Sequence, residues 1–189
     1  GSVHMFNKNL DDDVPAWRAV WLRVYNVDTE VGRSSRFPVT MSLINRITDA
    51  GFPVSVAFFS VVEAHKCIPS HYGFYRGVLR YHLALEVPKD QDNCYITMAG
   101  EKHPWRPGGD LCFDDCFAHA VTNNTPERRI VLFLDVARPL PRPLSWLNLL
   151  FLRCMRYNND VSMTAARANA LQRMSATKPV VGEKVVAEG

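Results

Sequence analysis

The chain has 189 residues, of which 47% are hydrophobic and 22% charged, enough apolar material for one domain with a real core. Those proportions exclude a disordered, collagen-like or disulfide-scaffold protein. Twenty-two Lys and Arg against nineteen Asp and Glu leave a net charge of +3, and the basic residues are spread along the chain, so no nucleic-acid partner is expected.

Gly1-Ser2-Val3-His4 ahead of Met5 reads as a tag-cleavage scar, and residues 1–13 as that scar plus a loose polar stretch. Trp17, Trp21 and Tyr25 recur every four residues, which fits a helix face or a strand wrapping the core. Pro38 followed by Met41, Leu43, Ile44 and Ile47, with Gly51 beyond, predicts a helix over 38–49. Residues 54–63 are β-branched and aromatic and predict a strand. Residues 76–87 alternate: Leu79, Tyr81, Leu83, Leu85 and Val87 share one face, and Arg80, His82, Ala84 and Glu86 the other. Further strands are expected at 94–98, 111–114, 117–122 and 129–136. A loop is expected at 100–109, and a hairpin connection at Asn123-Asn124-Thr125-Pro126-Glu127. Helical spacing returns at 144–156 and 161–174, and 175–189 reads as a flexible tail. The whole predicts a single mainly β domain over 14–174, a sandwich or barrel core (about 36–140) with flanking helices.

The five cysteines (67, 94, 112, 116 and 154) contain no C-x-x-C pair and are expected to be reduced. The chain opens with no signal peptide, and its most apolar run, 144–155, falls short of the roughly 20 residues of a membrane span. A cytoplasmic protein is expected.

Arg80 and His82 share a polar face opposite large apolar groups. That face either meets water at an edge strand or lines a polar cavity where the pair grips an anion. If the hairpin at 123–127 is centred on Asn124, His119 stands opposite Arg129, a metal-ligating imidazole beside a carboxylate-binding guanidinium. The alternative is an ordinary cross-strand pair. His71, in a predicted loop, would make a second metal ligand, with His65 and His103 as competitors. Cys112, Cys116 and His119 suggest zinc only weakly, for want of a fourth ligand. Asp114 and Asp115 are expected to form a turn and orient the His119 loop.

Taken in order, several motifs resemble the aspartyl/asparaginyl β-hydroxylase family over about residues 36–140. They are His71-x-Gly73, Arg80-x-His82-Leu83, Trp105 with Gly108-Gly109, Phe113-Asp114-Asp115-x-Phe117-x-His119, Arg129 and Asp135-x-x-Arg138-Pro139. The resemblance implies an iron(II)- and 2-oxoglutarate-dependent oxygenase using O2, on a double-stranded β-helix (jelly-roll, cupin-like) core with flanking N- and C-terminal helices. It implies His71 and His119 as iron ligands, and Arg129 with Ser60 on the distal carboxylate of 2-oxoglutarate. Arg80 and His82 would hold the carboxylate near the metal. Many such oxygenases supply a third ligand in a His-x-Asp/Glu pattern; here that position is Gly73, so water is expected to complete the metal. The missing carboxylate also permits a halogenase. Apart from the resemblance, the Gly/Pro-flanked loop around Trp105 leaves two readings for that side chain, a wall of the substrate pocket or an ordinary aromatic anchor of the loop.

The function implied is hydroxylation of an unactivated C–H with release of succinate and CO2. With no repeat region or membrane span ahead of the catalytic unit, a small soluble substrate such as an amino acid or biosynthetic intermediate is expected. Alternatives are a halogenase, a peptide or lipid hydroxylase, and a non-catalytic β-barrel binding module.

Overall fold

The computed structural model describes residues 17–157. The sequence-predicted helix at 161–174, the N-terminal scar and the C-terminal tail lie outside these residues. In chain order the elements are β1 (Trp17–Val24), β2 (Val27–Asp28), α1 (Glu30–Arg33), α2 (Pro38–Asp49), β3 (Val54–Val62), β4 (Lys66–His71), β5 (Val78–Glu86), β6 (Cys94–Met98), β7 (Glu101–Pro104), β8 (Asp110–Phe113), β9 (His119–Asn123), β10 (Arg129–Ala137) and α3 (Leu144–Met155). The strands form two antiparallel sheets, a six-stranded one in the order β2-β1-β3-β10-β5-β8 and a four-stranded one in the order β4-β9-β6-β7. This is the expected jelly-roll architecture, with helices beside it.

Two cores follow from strand alternation. Between the sheets lie Val62, Ala84 and Val131 of the larger sheet against Ile68, Ile96 and Val121 of the smaller, with Trp105 among them. On the outer face of the larger sheet, Met41 and Ile44 of α2 and Val31 of α1 pack on Leu22, Ala57, Leu132 and Leu134, with Tyr81 and Leu83 alongside. Leu83 and Tyr81 therefore belong to the outer core, and the intervening Ala84, His82 and Arg80 turn toward the space between the sheets. Pro38 opens α2. The helix stops at Gly51, where φ is +94° and the amides of Gly51 and Phe52 reach back to Thr48 and Ile47.

The undecided segment at 17–25 is a strand. Tyr25 and Asn26, both at positive φ, turn it tightly into β2, where Val24 faces Val27. Ala99 and Gly100 do the same between β6 and β7, so part of the predicted loop at 100–109 is a strand paired with β6. The alternation of β5 breaks at its end. The β10 register skips between Ala84 and Glu86, Leu85 turns outward to water, and Val87 packs into the core between the sheets.

The predicted hairpin at 123–127 is overturned. β9 and β10 lie in different sheets, so the segment between them crosses from one to the other. Asn123, fully buried, fixes the crossing by donating to the carbonyls of Glu63 (2.9 Å) and Glu127 (2.8 Å) and accepting from Thr125 Oγ1 (2.7 Å). His119 therefore does not oppose Arg129. It opposes His71 on one side and Met98 on the other, and Arg129 opposes Val62.

Candidate active site

His71 ends β4 and does not sit in a loop; His119 begins β9 directly across from it. Their ring centroids are 4.1 Å apart. Each Nδ1 lies against the carbonyl two residues earlier, Pro69 O at 2.8 Å and Phe117 O at 2.9 Å. A carbonyl only accepts, so both Nδ1 atoms carry the proton and both Nε2 atoms present lone pairs. Burial lowers the pKa of both rings, that of His119 to about 4. Neutral imidazoles held by a backbone carbonyl have the form a divalent metal takes.

No side chain stands at residue 73, and the space there is filled. A Cβ built on Gly73 would fall onto the carboxylate of Asp115, and the Gly73 amide donates to the Asp115 carbonyl at 2.6 Å. Asp115 is in turn paired with Arg80 Nη2 at 2.8 Å. Arg80 also grips Asp135 in a two-point fork of 3.0 and 3.1 Å. The Arg80 guanidinium is thus shared between two carboxylates and lies over the Phe133 ring. Asp114 accepts from the Cys116 amide and pairs with Arg138 at 2.6 Å. Asp114, Asp115 and Cys116 form the one cluster of three or more metal-donor side chains among the described residues. Their charges are already matched by Arg80 and Arg138. Cys112, Cys116 and His119 form no such cluster. His65 is exposed in the β3–β4 turn, and His103 sits on β7 beside Glu101.

Arg129 lies at the far end of the space between the sheets and is 1% exposed. Among the described residues no carboxylate pairs with it. Its Nη1 touches Ser60 O and Oγ at 3.4 Å, its Nε makes no hydrogen bond, and its guanidinium rests on the Trp105 ring, 4.5 Å from the centroid. Burial alone pushes its pKa down to about 10. Ser60 Oγ also accepts from Trp17 Nε1 at 2.9 Å. His82 is buried with both ring nitrogens unpartnered, and the Trp105 indole nitrogen is likewise unpartnered. Burial, then the charge of Arg129, lowers the pKa of His82 well below its ordinary value.

A buried polar atom without a partner costs roughly 1–3 kcal/mol. Four of them lie here: Nε of the Arg129 guanidinium itself, Nε1 of Trp105 beneath it, and both nitrogens of His82. A chain of rings joins them to the histidine pair: His119 to Phe113 (5.4 Å), Phe113 to His82 (5.3 Å), then His82 to Trp105 (6.3 Å). The donor set suits a small acid with carboxylate oxygens at one end and a metal-chelating group at the other. Five of the six predicted site residues, Ser60, His71, His82, His119 and Arg129, are thus joined by one chain of contacts through Phe113 and Trp105, while Arg80 is turned to the two aspartates beside it. Trp105 was expected on a pocket wall; the structure puts it under the arginine. Asp135 and Asp115 escaped sequence reasoning as partners of Arg80, although Asp135 and Arg80 have matching positions on adjacent strands once the sheet order is known.

The structure is thus a jelly roll that carries a facing pair of histidines and a buried arginine without an acidic partner. The family model for aspartyl/asparaginyl beta-hydroxylase matches residues 2–139, and the chain belongs to that family. Among curated relatives it is 34% identical over 132 residues to the ornithine lipid ester-linked acyl 2-hydroxylase of Rhizobium tropici, covering 70% of this chain and 45% of that protein. It is 30% identical over 103 residues to the aspartyl/asparaginyl beta-hydroxylase of Mus musculus, covering 54% of this chain and 14% of the other. The chain thus spans less than half the length of these relatives. Among solved structures, a cupin domain of a transcriptional regulator from Enterobacter cloacae is similar over 66% of this chain and 99% of that one, with 14% identity and a TM-score of 0.42.

Proposed function

We propose that this chain is an iron(II)- and 2-oxoglutarate-dependent hydroxylase in which His71 and His119 hold the metal and Arg129 anchors the co-substrate. The observation that carries the proposal is the Arg129 guanidinium, buried without an acidic partner beside three further unpartnered polar nitrogens. Iron and 2-oxoglutarate, when bound, supply the oxygen activation that turns a C–H into a C–OH while releasing succinate and CO2. The chain's own residues do the rest. Arg129 takes the distal carboxylate, with Ser60 Oγ beside it and Trp105 as the floor that keeps water away. His82, neutral at pH 7, donates one N–H to the carboxylate nearer the metal. The carbonyls of Pro69 and Phe117 hold both imidazoles in the ligating tautomer.

Arg80 acts by positioning: its fork fixes Asp135 and holds the Asp115 carboxylate beside Gly73. Carboxylate oxygens at that place oppose chloride entry and favour water, which supports hydroxylation over halogenation. For the substrate, the rim supports a lipid chain over the small soluble molecule expected from sequence. Tyr72, Phe74 and Phe117, all within three residues of a metal histidine, are exposed aromatic side chains. The acyl substrate named for the Rhizobium relative agrees with that rim. The test is succinate formation from 2-oxoglutarate with iron(II) and ascorbate, comparing hydroxyl-free acyl lipids with an amino-acid panel. Lipid-dependent turnover that disappears in His119→Ala is expected. No turnover and no binding of 2-oxoglutarate would sink the proposal.

A further inference from the structure

Helix α3 is built inside out for a water-facing element. Asn148, in the middle of the helix, is buried: Nδ2 donates to Gly77 O at 2.8 Å, and Oδ1 accepts from Tyr75 Oη at 2.6 Å. Leu152 packs beside Val78 and Ala137, and its carbonyl accepts from Asn26 Nδ2 at 3.1 Å. These contacts fix the helix's rotation about its axis. They leave Leu144, Trp146, Leu147, Leu149, Leu150 and Phe151 facing outward, with Trp146 63%, Leu147 60% and Leu150 59% exposed.

Charge and position say what covers this face. Residues 138–157 contain no Asp or Glu. Arg142 lies at one end of the helix, and Arg153 and Arg156 at the other, all exposed. Arg142 leans toward Trp146 and Arg156 toward Tyr157. An apolar face with aromatic residues, bounded by arginines and free of acids, complements an anionic lipid surface. Twelve residues make a helix about 18 Å long, too short for a hydrocarbon core of about 30 Å, so it would lie in the plane of the surface. The face is continuous with the candidate active site. Phe151 packs on Tyr75 at 4.5 Å between ring centroids, and Tyr75 follows the exposed Phe74, three residues from His71.

We propose that α3 is a monotopic docking helix that seats the protein on an anionic membrane with the Tyr72–Phe74 rim turned toward the lipid. The delivery of an acyl chain to His71 and His119 rests on the function proposed above; the docking itself does not.

The test is co-sedimentation of the full chain, without metal or co-substrate, with phosphatidylcholine–phosphatidylglycerol vesicles and with pure phosphatidylcholine. Wild type should bind the anionic vesicles, less so as salt rises, with a blue shift from Trp146. Leu147→Glu/Leu150→Glu changes two exposed residues and should keep the thermal transition and 2-oxoglutarate affinity of wild type. Its vesicle affinity should fall about a hundredfold or more, because apolar surface is lost and anionic charge gained. Failure of wild type to bind, or equal binding by the double variant, overturns the proposal. So does a wild-type dimer that the double variant makes monomeric without any vesicle binding, since the occupant is then a second copy. Vesicle binding with no affinity for 2-oxoglutarate leaves the docking helix standing and removes the oxygenase.

Discussion

Arg129→Met separates a ligand-binding arginine from a structural one by the sign of its effects. A buried guanidinium is normally kept by an acid, and removing such an arginine strands its partner at a cost of about 3–5 kcal/mol. Arg129 has no such partner, only two long contacts to Ser60 and the Trp105 ring beneath it, and burial lowers its pKa to about 10. Methionine fills similar volume without a charge to desolvate, so the ligand-free variant should melt at the wild-type temperature or above it. The loss should appear with 2-oxoglutarate. A charge-assisted pair left half-made in a buried site costs about 2–5 kcal/mol, or roughly 30- to 4000-fold in affinity. Co-substrate at a hundred times its dissociation constant should stabilise wild type by about 2.7 kcal/mol, about 5–10 °C for a domain of this size. The same addition should stabilise Arg129→Met by at most about 0.9 kcal/mol. Thermal melts with manganese(II) and 2-oxoglutarate read both effects, and metal affinity should stay near wild type. A variant that melts well below wild type while keeping its response to 2-oxoglutarate would show that Arg129 holds the fold and not a ligand.

Other perturbations test the neighbouring parts. Gly73→Asp should not tighten manganese binding and should lower stability by about 1–3 kcal/mol, because its side chain meets the Asp115 carboxylate; paired with Asp115→Gly it should recover stability and gain metal affinity by titration calorimetry. If Gly73→Asp alone tightens the metal, Asp115 does not hold that space. Arg80→Met strips the partner from Asp115 and Asp135 together and should cost about 3–5 kcal/mol in urea unfolding. A loss under 1 kcal/mol would contradict the shared-fork description. Asn148→Leu removes two buried hydrogen bonds. It should cost about 1–3 kcal/mol and, by freeing α3 to rotate, alter its exposed face as read by Trp146 quenching.

Features that depend on local order were legible in the sequence. Period-two alternation marked β5 and put Arg80 and His82 on one face, helical spacing with Pro38 and Gly51 bounded α2, and the ordered motifs from His71 to Pro139 carried the family. Short-range physics suffices there, because alternation and capping are set by neighbours along the chain. What failed was long-range pairing. Symmetric counting about Asn124 put His119 opposite Arg129, but register across a turn holds only if both arms share a sheet. Here Asn123 ties the turn to Glu63, sixty residues away, and sends β10 into the other sheet. The tertiary structure therefore decided that His119 faces His71 and that Arg129 is buried on Trp105. It decided too that Asp115 fills the place beside Gly73, and that a helix of leucines points its asparagine inward. Each outcome turns on contacts between segments distant in sequence, whose energies no local pattern contains.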